Sequence, residues 1–525
     1  MTTTGRSTRA APSRPVGRDR RLVRHPASPG AAHATALPRT PTAVVIGGGI
    51  AGLAAATGLA ERGVAVTVLE REPQLGGRVS SWAHTLPDGT VTSMGRGFHA
   101  FFRQYYNLRA LLRRTDPELE QLVAVPDYPV VDSEGRRDSF RGLPRTPPWN
   151  ALAFALRSPS FRVSDLLRLD PVAAAPLADV SLPHTYQTLD DTDAESFLRR
   201  INFPPAARHL AFEVFSRSFF APPEDLSAAE LATMFHLYFL GSSEGLLFDV
   251  PRASFAAALW SPLRRYLTGL GAQICTGEQA TAISAGGHGW RVHTRSGVVL
   301  DGNGIVLAAD VAGLRQLVAG SPDLTDAAWR SRVERLLCAP PFLVLRLWLD
   351  RPVARHRPAF LGTAGLPPLD NVTVLDRYEQ EARAWAHRHG GSVLELHAYA
   401  ATAPSPQTCH QLTERLHQLY PETATATVLG SATLRREDCP LFALGSFADR
   451  PGVATPFPGL TLAGDGIRID LPTALMERAA TTGWHAANLL LADWGLAGHP
   501  IHTVPTSGRL ALLRRLARRT EAAAC

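Results

Sequence analysis

The stretch Thr42-Ala-Val-Val-Ile-Gly-Gly-Gly-Ile-Ala-Gly52 decides the fold predicted for this chain. Its first half is an apolar, largely β-branched run, which predicts a buried strand. Its second half spaces Gly47, Gly49 and Gly52 as G-x-G-x-x-G. In a nucleotide-binding turn the first glycine permits the tight turn and the second lets the backbone approach a pyrophosphate. The third lets the following helix pack closely on the strand.

The residues that follow complete a strand–helix–strand unit. Residues 50–61 are rich in Ala and Leu and predict a helix, whose first residues Ile50 and Ala51 offer backbone N–H groups to phosphates. Residues 64–69 predict a second buried strand that ends at Glu70, and an acidic side chain at this place accepts hydrogen bonds from ribose hydroxyls. The combination predicts nucleotide binding, and an ordinary βαβ unit with a glycine-rich turn is the alternative.

Composition excludes several other classes of protein. The chain has 525 residues, 45% of them hydrophobic, which is enough for a large core and two to four domains. Five widely spaced cysteines without a C-x-x-C predict neither a disulfide scaffold nor a zinc ribbon; they fit a reducing, intracellular setting, and we expect no metal site. All 54 basic residues are Arg, which excludes a catalytic lysine.

The positive charge is concentrated near the chain ends. Residues 1–40 hold eight Arg and one acid, whereas residues 41–525 hold 46 charges of each sign, so the net charge of +7 does not predict nucleic-acid binding. Residues 1–40 lack hydrophobic periodicity and a signal-peptide pattern, and are predicted to be a disordered basic tail. Residues 501–525 predict a basic amphipathic tail, which either lies on a membrane or packs on the body of the protein. No apolar run of 18 residues or more predicts a membrane-spanning helix.

Two further segments resemble the FAD-binding motifs of the amine oxidase and phytoene desaturase superfamily. One is Glu70-Arg-Glu-Pro-Gln-Leu-Gly-Gly-Arg-Val-Ser80, and the other is Pro458-Gly-Leu-Thr-Leu-Ala-Gly-Asp-Gly-Ile-Arg468, followed by a helix predicted over 472–490. The resemblance implies FAD as the cofactor. Beside Gly47, Gly49, Ile50, Ala51, Gly52 and Glu70, the cofactor contacts implied are Arg71, Gly76, Gly77, Arg78, Ala280, Gly464, Asp465, Ala474, Leu475 and Met476.

The resemblance also implies individual roles and an interleaved architecture. Arg78 would lie near the phosphates and the flavin edge, Asp465 would bond the ribityl chain, and residues 474–476 would direct amides at the flavin C2 carbonyl. The implied fold class is α/β, with an FAD-binding Rossmann-like, doubly wound domain interleaved with a mixed α+β substrate domain. The FAD-binding domain would comprise 41–110, 256–319 and 451–500, and the substrate domain 111–255 and 320–450.

Aromatic residues are concentrated in two segments of the sequence. Residues 98–106 hold five aromatic side chains, and residues 212–255 hold nine. Within the second segment, Ser227-Ala-Ala-Glu230 predicts a capping box before a nearly apolar helix over 231–240. Such a helix is either deep core or the wall of an apolar cavity, and an apolar cavity suits a long hydrocarbon better than a charged amine.

Three segments together resemble the bacterial carotenoid ring desaturase/methylases, also called isorenieratene synthase-like or β-carotene desaturase/methyltransferase proteins. They are Gly95-Arg-Gly-Phe-His99, residues 436–442 and residues 464–479. The resemblance implies desaturation of a carotenoid β-ionone ring, with a 1,2-methyl shift inside the ring and proton loss, giving an aromatic end group of the isorenieratene type. It implies a hydrophobic carotenoid as the partner and leaves the electron acceptor open. We expect a cytoplasmic protein in peripheral contact with the cytoplasmic membrane.

A ring cation needs aromatic faces and a base, and His99 is the base that we favour from the sequence. Asp470 and Glu477 are alternatives, and Arg96 would either hold reduced flavin or fix Asp470. Another FAD-dependent desaturase or isomerase of polyenes, of the phytoene or lycopene type, is the main alternative function. A flavin amine oxidase, an S-adenosylmethionine methyltransferase and a non-catalytic flavin protein are less favoured.

Overall fold

The computed structural model describes residues 16–211, 219–287, 289–401, 405–506 and 515. Its strands are β1 Val23–His25, β2 Thr42–Ile46, β3 Ala65–Glu70, β4 Ser81–Thr85, β5 Val91–Gly95, β6 Phe101–Phe102, β7 Leu122–Ala124, β8 Val130–Val131, β9 Arg137–Asp138, β10 Phe248–Pro251, β11 Gln273–Thr276, β12 Ala280–Gly286, β13 Gly289–Thr294, β14 Val299–Gly302, β15 Gly304–Leu307, β16 Phe342–Leu349, β17 Phe360–Thr363, β18 Asn371–Val374, β19 Ser392–Ala398, β20 Val428–Arg436, β21 Leu460–Leu462 and β22 Ile501–Thr503. Its α-helices are α1 Ile50–Ala60, α2 Tyr106–Leu112, α3 Trp149–Arg157, α4 Val163–Leu166, α5 Ala175–Ala178, α6 His184–Leu189, α7 Ala194–Arg200, α8 Arg208–Ala211, α9 Ala228–Phe235, α10 Ser261–Gly269, α11 Val311–Ala319, α12 Ala327–Glu334, α13 Gln380–His389, α14 Pro406–Leu419 and α15 Leu475–Asp493.

A five-stranded parallel sheet contains the glycine-rich motif at its centre. Its order is β11–β3–β2–β15–β21, so its strands come from three separate parts of the chain. All eleven residues of α1 are buried, because this helix packs against both the sheet and α15. The α/β fold class predicted from the sequence is confirmed, and the carboxyl ends of β2 and β3 carry the glycine turn and Glu70 to one edge of the sheet.

A second, seven-stranded sheet lies in the part of the chain between the nucleotide-binding segments. Its order is β20–β16–β19–β18–β17–β8–β9, and all its neighbouring pairs are antiparallel except β17 with β8. Every residue of β16 and of β19 is buried, so both faces of this part of the sheet are covered. Polar residues on these two strands therefore face buried surroundings and need partners there.

The prediction that residues 1–40 are disordered is wrong for residues 16–40. β1 pairs antiparallel with β22, and Glu244 accepts hydrogen bonds from the backbone N–H groups of Arg18 and Asp19. Residues 501–503, assigned from the sequence to an amphipathic tail, are the buried strand of this pair. Composition missed the pairing because the two partners are separated by almost the whole chain. The amphipathic pattern itself falls at 509–520, almost entirely outside the described residues.

The predicted capping box at the start of α9 is only half present. Ser227 accepts a hydrogen bond from the N–H of Ala229, as an N-cap does. Glu230 instead bonds two guanidinium groups, those of Arg450 at 2.5 Å and Arg478 at 2.7 Å, and all three side chains are buried. This network joins α9 to α15 and to the segment before β21.

Candidate active site

The three glycines of the motif have different surroundings, each with its own physical requirement. Gly47 has φ +113°, and a Cβ there would meet the carbonyl oxygen of Ala308 at 2.4 Å. A Cβ on Gly52 would lie 1.8 Å from the carbonyl oxygen of Gly47. A Cβ on Gly49 would meet nothing closer than the Cα of Gly77 at 3.8 Å, and Gly49 lines a large cavity. Gly49 therefore leaves its backbone open to a bound group.

The cavity has a volume of about 580 Å³ and extends from the glycine turn to a group of aromatic side chains. Most of the residues that were predicted from the sequence to contact the cofactor line this cavity, although they are spread over more than 400 positions of the chain. Those that line it are Gly47, Gly49, Ile50, Ala51, Glu70, Arg71, Gly76, Gly77, Arg78, Ala280, Gly464, Asp465, Leu475 and Met476. Gly52 and Ala474 lie beside the lining and shape the starts of α1 and α15.

Acidic and basic side chains alternate at the end of the cavity next to the glycine turn. Glu70 accepts hydrogen bonds from the N–H groups of Gly48 at 2.7 Å and Glu72 at 2.9 Å, and burial raises the pKa of its carboxyl. Arg71 donates to Asp310 at 2.5 Å, which also caps α11 by accepting from the N–H of Gly313. These contacts hold Glu70 and Arg71 at the cavity wall.

The second predicted motif meets the first across the cavity. Arg78 donates to the carboxylate of Asp465, and this pairing raises the pKa of Arg78 despite burial. α15 starts at the cavity, and its N-cap Ala474 has no side-chain hydrogen bond to the helix. Leu475 has φ +52°, a conformation that is rare for a residue with a side chain and that is often found at functional sites.

The family model described as flavin containing amine oxidoreductase matches residues 50–491. The chain belongs to this family. It is therefore an FAD-dependent oxidoreductase.

Individual relatives of this flavoprotein agree with the resemblance seen in the sequence. It is 55% identical over 503 residues to the carotenoid phi-ring synthase of Streptomyces griseus, covering 95% of this chain and 97% of that protein. It is 29% identical over 593 residues to the carotenoid phi-ring synthase of Chlorobaculum tepidum, covering 89% and 91%. The predicted resemblance to the carotenoid ring desaturase/methylases is confirmed. A solved structure of putrescine oxidase bound to putrescine matches with a TM-score of 0.62 at 16% identity, covering 86% of this chain and 99% of that one, which supports the fold alone.

The described residues fit FAD at both ends of its diphosphate. The space over Gly49 and the uncapped N-terminus of α1 suit a pyrophosphate. Glu70 has the carboxylate that ribose hydroxyls require, and Ala280 lines the same end. The uncapped start of α15 directs free N–H groups toward the other end, where they favour negative charge on a bound flavin.

We expect Asp465→Asn to yield protein that binds FAD about 30-fold more weakly. The amide keeps the shape but removes the carboxylate that would bond the ribityl chain and that holds Arg78 in place, and a hydrogen bond to a charged group contributes about 2 kcal/mol. The dissociation constant is measured by titrating apoprotein with FAD and following flavin fluorescence. Asp301→Asn is the control, because Asp301 pairs with Arg291 at the surface. Equal FAD affinity in both variants would contradict the assigned role of Asp465.

His99 and Arg96, two of the predicted catalytic residues, line the aromatic end of the cavity. Nδ1 of His99 lies 2.9 Å from the carbonyl oxygen of Gly97 and must donate to it, which leaves Nε2 as the acceptor. Burial, with the cations Arg96 and Arg78 nearby, lowers the pKa of His99 to about 4. His99 is therefore neutral at pH 7. Arg96 donates to Asp438, so the expectation that it fixes Asp470 is wrong.

The other two predicted catalytic residues do not line the cavity. Asp470 is exposed and accepts a hydrogen bond from Arg468 at 3.1 Å. Glu477 lies on α15 and is buried against the start of α2, where its carboxylate accepts hydrogen bonds from the N–H groups of Asn107 and Leu108. Burial raises the pKa of Glu477 to about 8, against these donors. Glu477 thus joins α15 to α2.

A polar chain that the sequence analysis missed reaches the cavity from the second sheet. Glu395 accepts from Arg346 at 2.6 Å and contacts Nε2 of His397 at 2.9 Å. Nδ1 of His397 lies 2.5 Å from the hydroxyl of Tyr399. His397 and Tyr399 line the cavity, together with Asn371, which donates to the Tyr399 hydroxyl at 3.0 Å. The sequence signal was Glu395-Leu-His-Ala-Tyr399, in which polar residues occupy every second position of an otherwise apolar strand.

Proposed function

We propose that this FAD-dependent oxidoreductase desaturates a carotenoid β-ionone ring with a 1,2-methyl shift, and so forms an aromatic end group. The observation that carries the proposal is the aromatic wall at the end of the cavity away from the glycine turn. Its members are Phe98, Phe102, Tyr105, Tyr128, Phe220, Phe248, Phe342 and Phe360. The names of the phi-ring synthases, to which the chain is similar over nearly its whole length, support the same substrate class.

The aromatic wall suits a hydrocarbon that becomes transiently cationic. Phe98 packs against Phe360 and Phe248, with ring centroids 4.4 Å and 5.4 Å apart, so π faces and edges are held rigidly. Such faces attract a cation without solvating it as water does. The carboxylates of Asp438 and Asp465 are engaged by Arg96 and Arg78, which leaves them poorly disposed to bind a diamine.

The chemistry divides between the cofactor and the chain. Bound FAD would supply a two-electron acceptor for hydride. An aromatic end group has four hydrogen atoms fewer than a β-ionone ring, so two rounds of hydride and proton removal would be needed, with a two-electron acceptor reoxidising the flavin between them. The residues of the aromatic wall orient the ring and exclude water, which would otherwise trap a carbocation. A polar group at the cavity must also take the proton that leaves as the ring becomes aromatic, and His99 and Tyr399 both face the cavity.

The proposal is tested by the pigments formed in cells that accumulate β-carotene. Expression of the chain should convert β-carotene into a product with an aromatic end group, which is identified by its mass and absorption spectrum. Purified enzyme with β-carotene in detergent should give the same product. A desaturated acyclic product from phytoene-accumulating or lycopene-accumulating cells, with β-carotene left intact, would instead indicate the alternative polyene desaturase.

We also propose that the enzyme works in the cytoplasm in peripheral contact with the membrane that holds its substrate. Within the described ranges, no helix combines the length and the apolar character needed to cross a bilayer. Five large hydrophobic side chains are exposed within 24 residues: Trp149 (60%), Leu152 (44%), Leu156 (63%), Leu167 (82%) and Val172 (45%). The first three share one face of α3, because they are spaced i, i+3 and i+7.

The surroundings of α3 favour a bilayer as the surface that covers this face. Residues 141–172, which include α3, contain five exposed arginines and two acids, so their net positive charge suits anionic lipid headgroups. The arginines are Arg141, Arg145, Arg157, Arg162 and Arg168. Phe154, on the buried face, stacks on Phe140, and Phe140 stacks on Tyr128 of the cavity wall. The exposed face of α3 thus lies a few aromatic rings from the cavity.

We expect Trp149→Ser combined with Leu156→Ser to weaken binding to anionic lipid vesicles at least tenfold. Each side chain loses about 1–2 kcal/mol of apolar transfer energy when it no longer enters the lipid. Co-sedimentation with phosphatidylglycerol vesicles measures the loss. Leu270→Ser with Val299→Ser is the matched control, since both side chains are exposed elsewhere on the surface. Equal vesicle binding by the two double variants would contradict the proposal. So would a wild-type dimer that becomes monomeric only in the Trp149→Ser, Leu156→Ser variant.

A further inference from the structure

The polar chain on β19 is unusual because it places charge inside a sheet. The side chains of Arg346, Glu395 and His397 are each at most 5% exposed. Arg346 lies opposite Glu395 in the pairing of β16 with β19, and Asn371 lies opposite His397 in the pairing with β18. A buried ion pair contributes little net stability compared with apolar packing. Its extension by His397 and Tyr399 to the cavity wall therefore calls for a functional explanation.

The hydrogen bonds within the polar chain determine which of its atoms carry protons. Glu395 is ionised, because Arg346 and His397 hold its pKa at about 2 even though burial opposes ionisation. An ionised carboxylate only accepts, so Nε2 of His397 carries a proton and Nδ1 accepts from the Tyr399 hydroxyl. The N–H of Phe98 also faces Nε2, at 3.3 Å, but the contact with the carboxylate is shorter and sets the tautomer.

We propose that Tyr399, backed by His397 and Glu395, is the group that takes the proton from the substrate ring; this rests on the ring desaturation proposed above. After hydride removal, a C–H bond of the ring cation breaks and its electron pair becomes a ring C=C bond. The proton passes to Oη of Tyr399 while the hydroxyl proton of Tyr399 passes to Nδ1 of His397. The resulting imidazolium is paired with Glu395, and the proton returns through Tyr399 to water before the second of the two proton removals that aromatisation needs.

Tyr399 is better placed for this transfer than His99. An imidazolium at His99 would face the cations Arg96 and Arg78, whereas an imidazolium at His397 is bonded to a carboxylate. The hydrogen bonds that the Tyr399 hydroxyl makes, to His397 and from Asn371, also fix its direction. Tyr399 is thus a catalytic residue, while His397 and Glu395 act through it as positioning residues.

The test uses FAD-loaded Tyr399→Phe and His397→Ala with β-carotene in detergent. Aromatic product formation should fall at least tenfold in both variants, with flavin absorbance retained. Imidazole should restore turnover to His397→Ala but not to Tyr399→Phe, because only the first lacks an imidazole. Pyrazole, which has the same size but is a much weaker base, should restore neither. Tyr420→Phe is the control, since the buried hydroxyl of Tyr420 lies in the same domain outside the cavity.

Two results would overturn the inference. Equal rescue by imidazole and pyrazole would mean that His397 only fills space. Wild-type turnover by Tyr399→Phe, which lacks a single oxygen, would remove Tyr399 as the proton acceptor even if His397→Ala failed to hold FAD. A wild-type enzyme that forms no aromatic product from β-carotene would instead contradict the proposed function, so the two failures are distinguishable.

Discussion

Gly52→Ala is expected to give a colourless protein, with FAD occupancy reduced at least a hundredfold. The added Cβ would lie 1.8 Å from the carbonyl oxygen of Gly47, a distance that real contacts do not reach, so the start of α1 must move away from the turn. That movement removes the backbone from the position where it would meet the pyrophosphate. The ratio of flavin to protein absorbance after purification measures the effect.

Gly269→Ala is the matched control for this substitution. Gly269 also lies in a helix, α10, but a Cβ there would have nothing within 4 Å. We expect this variant to be yellow, with the FAD content of the wild type. A yellow, fully loaded Gly52→Ala protein would show that the chain binds its cofactor with a different turn from the one described.

Glu230→Gln is expected to lower the free energy of unfolding by about 3–5 kcal/mol. The carboxylate holds two buried guanidinium groups, those of Arg450 and Arg478, and its loss leaves both without an anionic partner. Arg478 also donates to the carbonyl oxygen of Thr473, just before α15, so weaker FAD binding should accompany the loss. Urea unfolding, followed by circular dichroism, measures the change.

The surface offers a matched control for Glu230. Glu195 also contacts two arginines, Arg199 at 2.6 Å and Arg208 at 3.0 Å, but Arg199 is largely exposed. Water and salt screen such pairs, so Glu195→Gln should cost less than about 1 kcal/mol. If the two variants were equally stable, the Glu230 network would have no special role in joining α9 to α15.

The same network predicts how stability depends on pH. Burial opposes ionisation of Glu230, but Arg478 and Arg450 hold its pKa at about 2, below the ordinary value of 4.5. A depressed carboxyl pKa adds stability above the unfolded-state value and loses it as the pH falls toward the folded-state value. Wild-type protein should therefore lose about 3 kcal/mol between pH 4.5 and 2 through this group. Glu230→Gln should lack this part of the acid sensitivity.

The residues that meet at the glycine-turn end of the cavity could be predicted from the sequence because their signals are local. The glycine turn and the Gly464-Asp465 turn each combine a strand, a turn and a helix within a short stretch, and the positions of these elements follow from nearby residues. The polar chain on β19 was missed because it depends on strand register. Arg346 becomes the partner of Glu395 only through the pairing of β16 with β19.

The predicted catalytic residues show where proximity in sequence misleads. Asp470 and Glu477 lie close to Asp465 in the chain, yet α15 begins at Leu475 and directs Glu477 into the interior beside α2. Asp470 precedes that helix in a loop, where it turns toward Arg468. Residues 16–40 were misjudged for a related reason, since their composition carries no information about the distant strand β22 that orders them.

The pairing of β1 with β22 bears on how the protein is made by the ribosome. The first strand cannot find its partner until residues 501–503 have been synthesised, and the cofactor cavity likewise needs Asp465 and α15. Until α15 has been synthesised, α1, all of whose residues are buried in the folded protein, lacks one of its main packing partners. We therefore expect the cavity to be complete for FAD only once the ribosome has added the segment that contains Asp465 and α15.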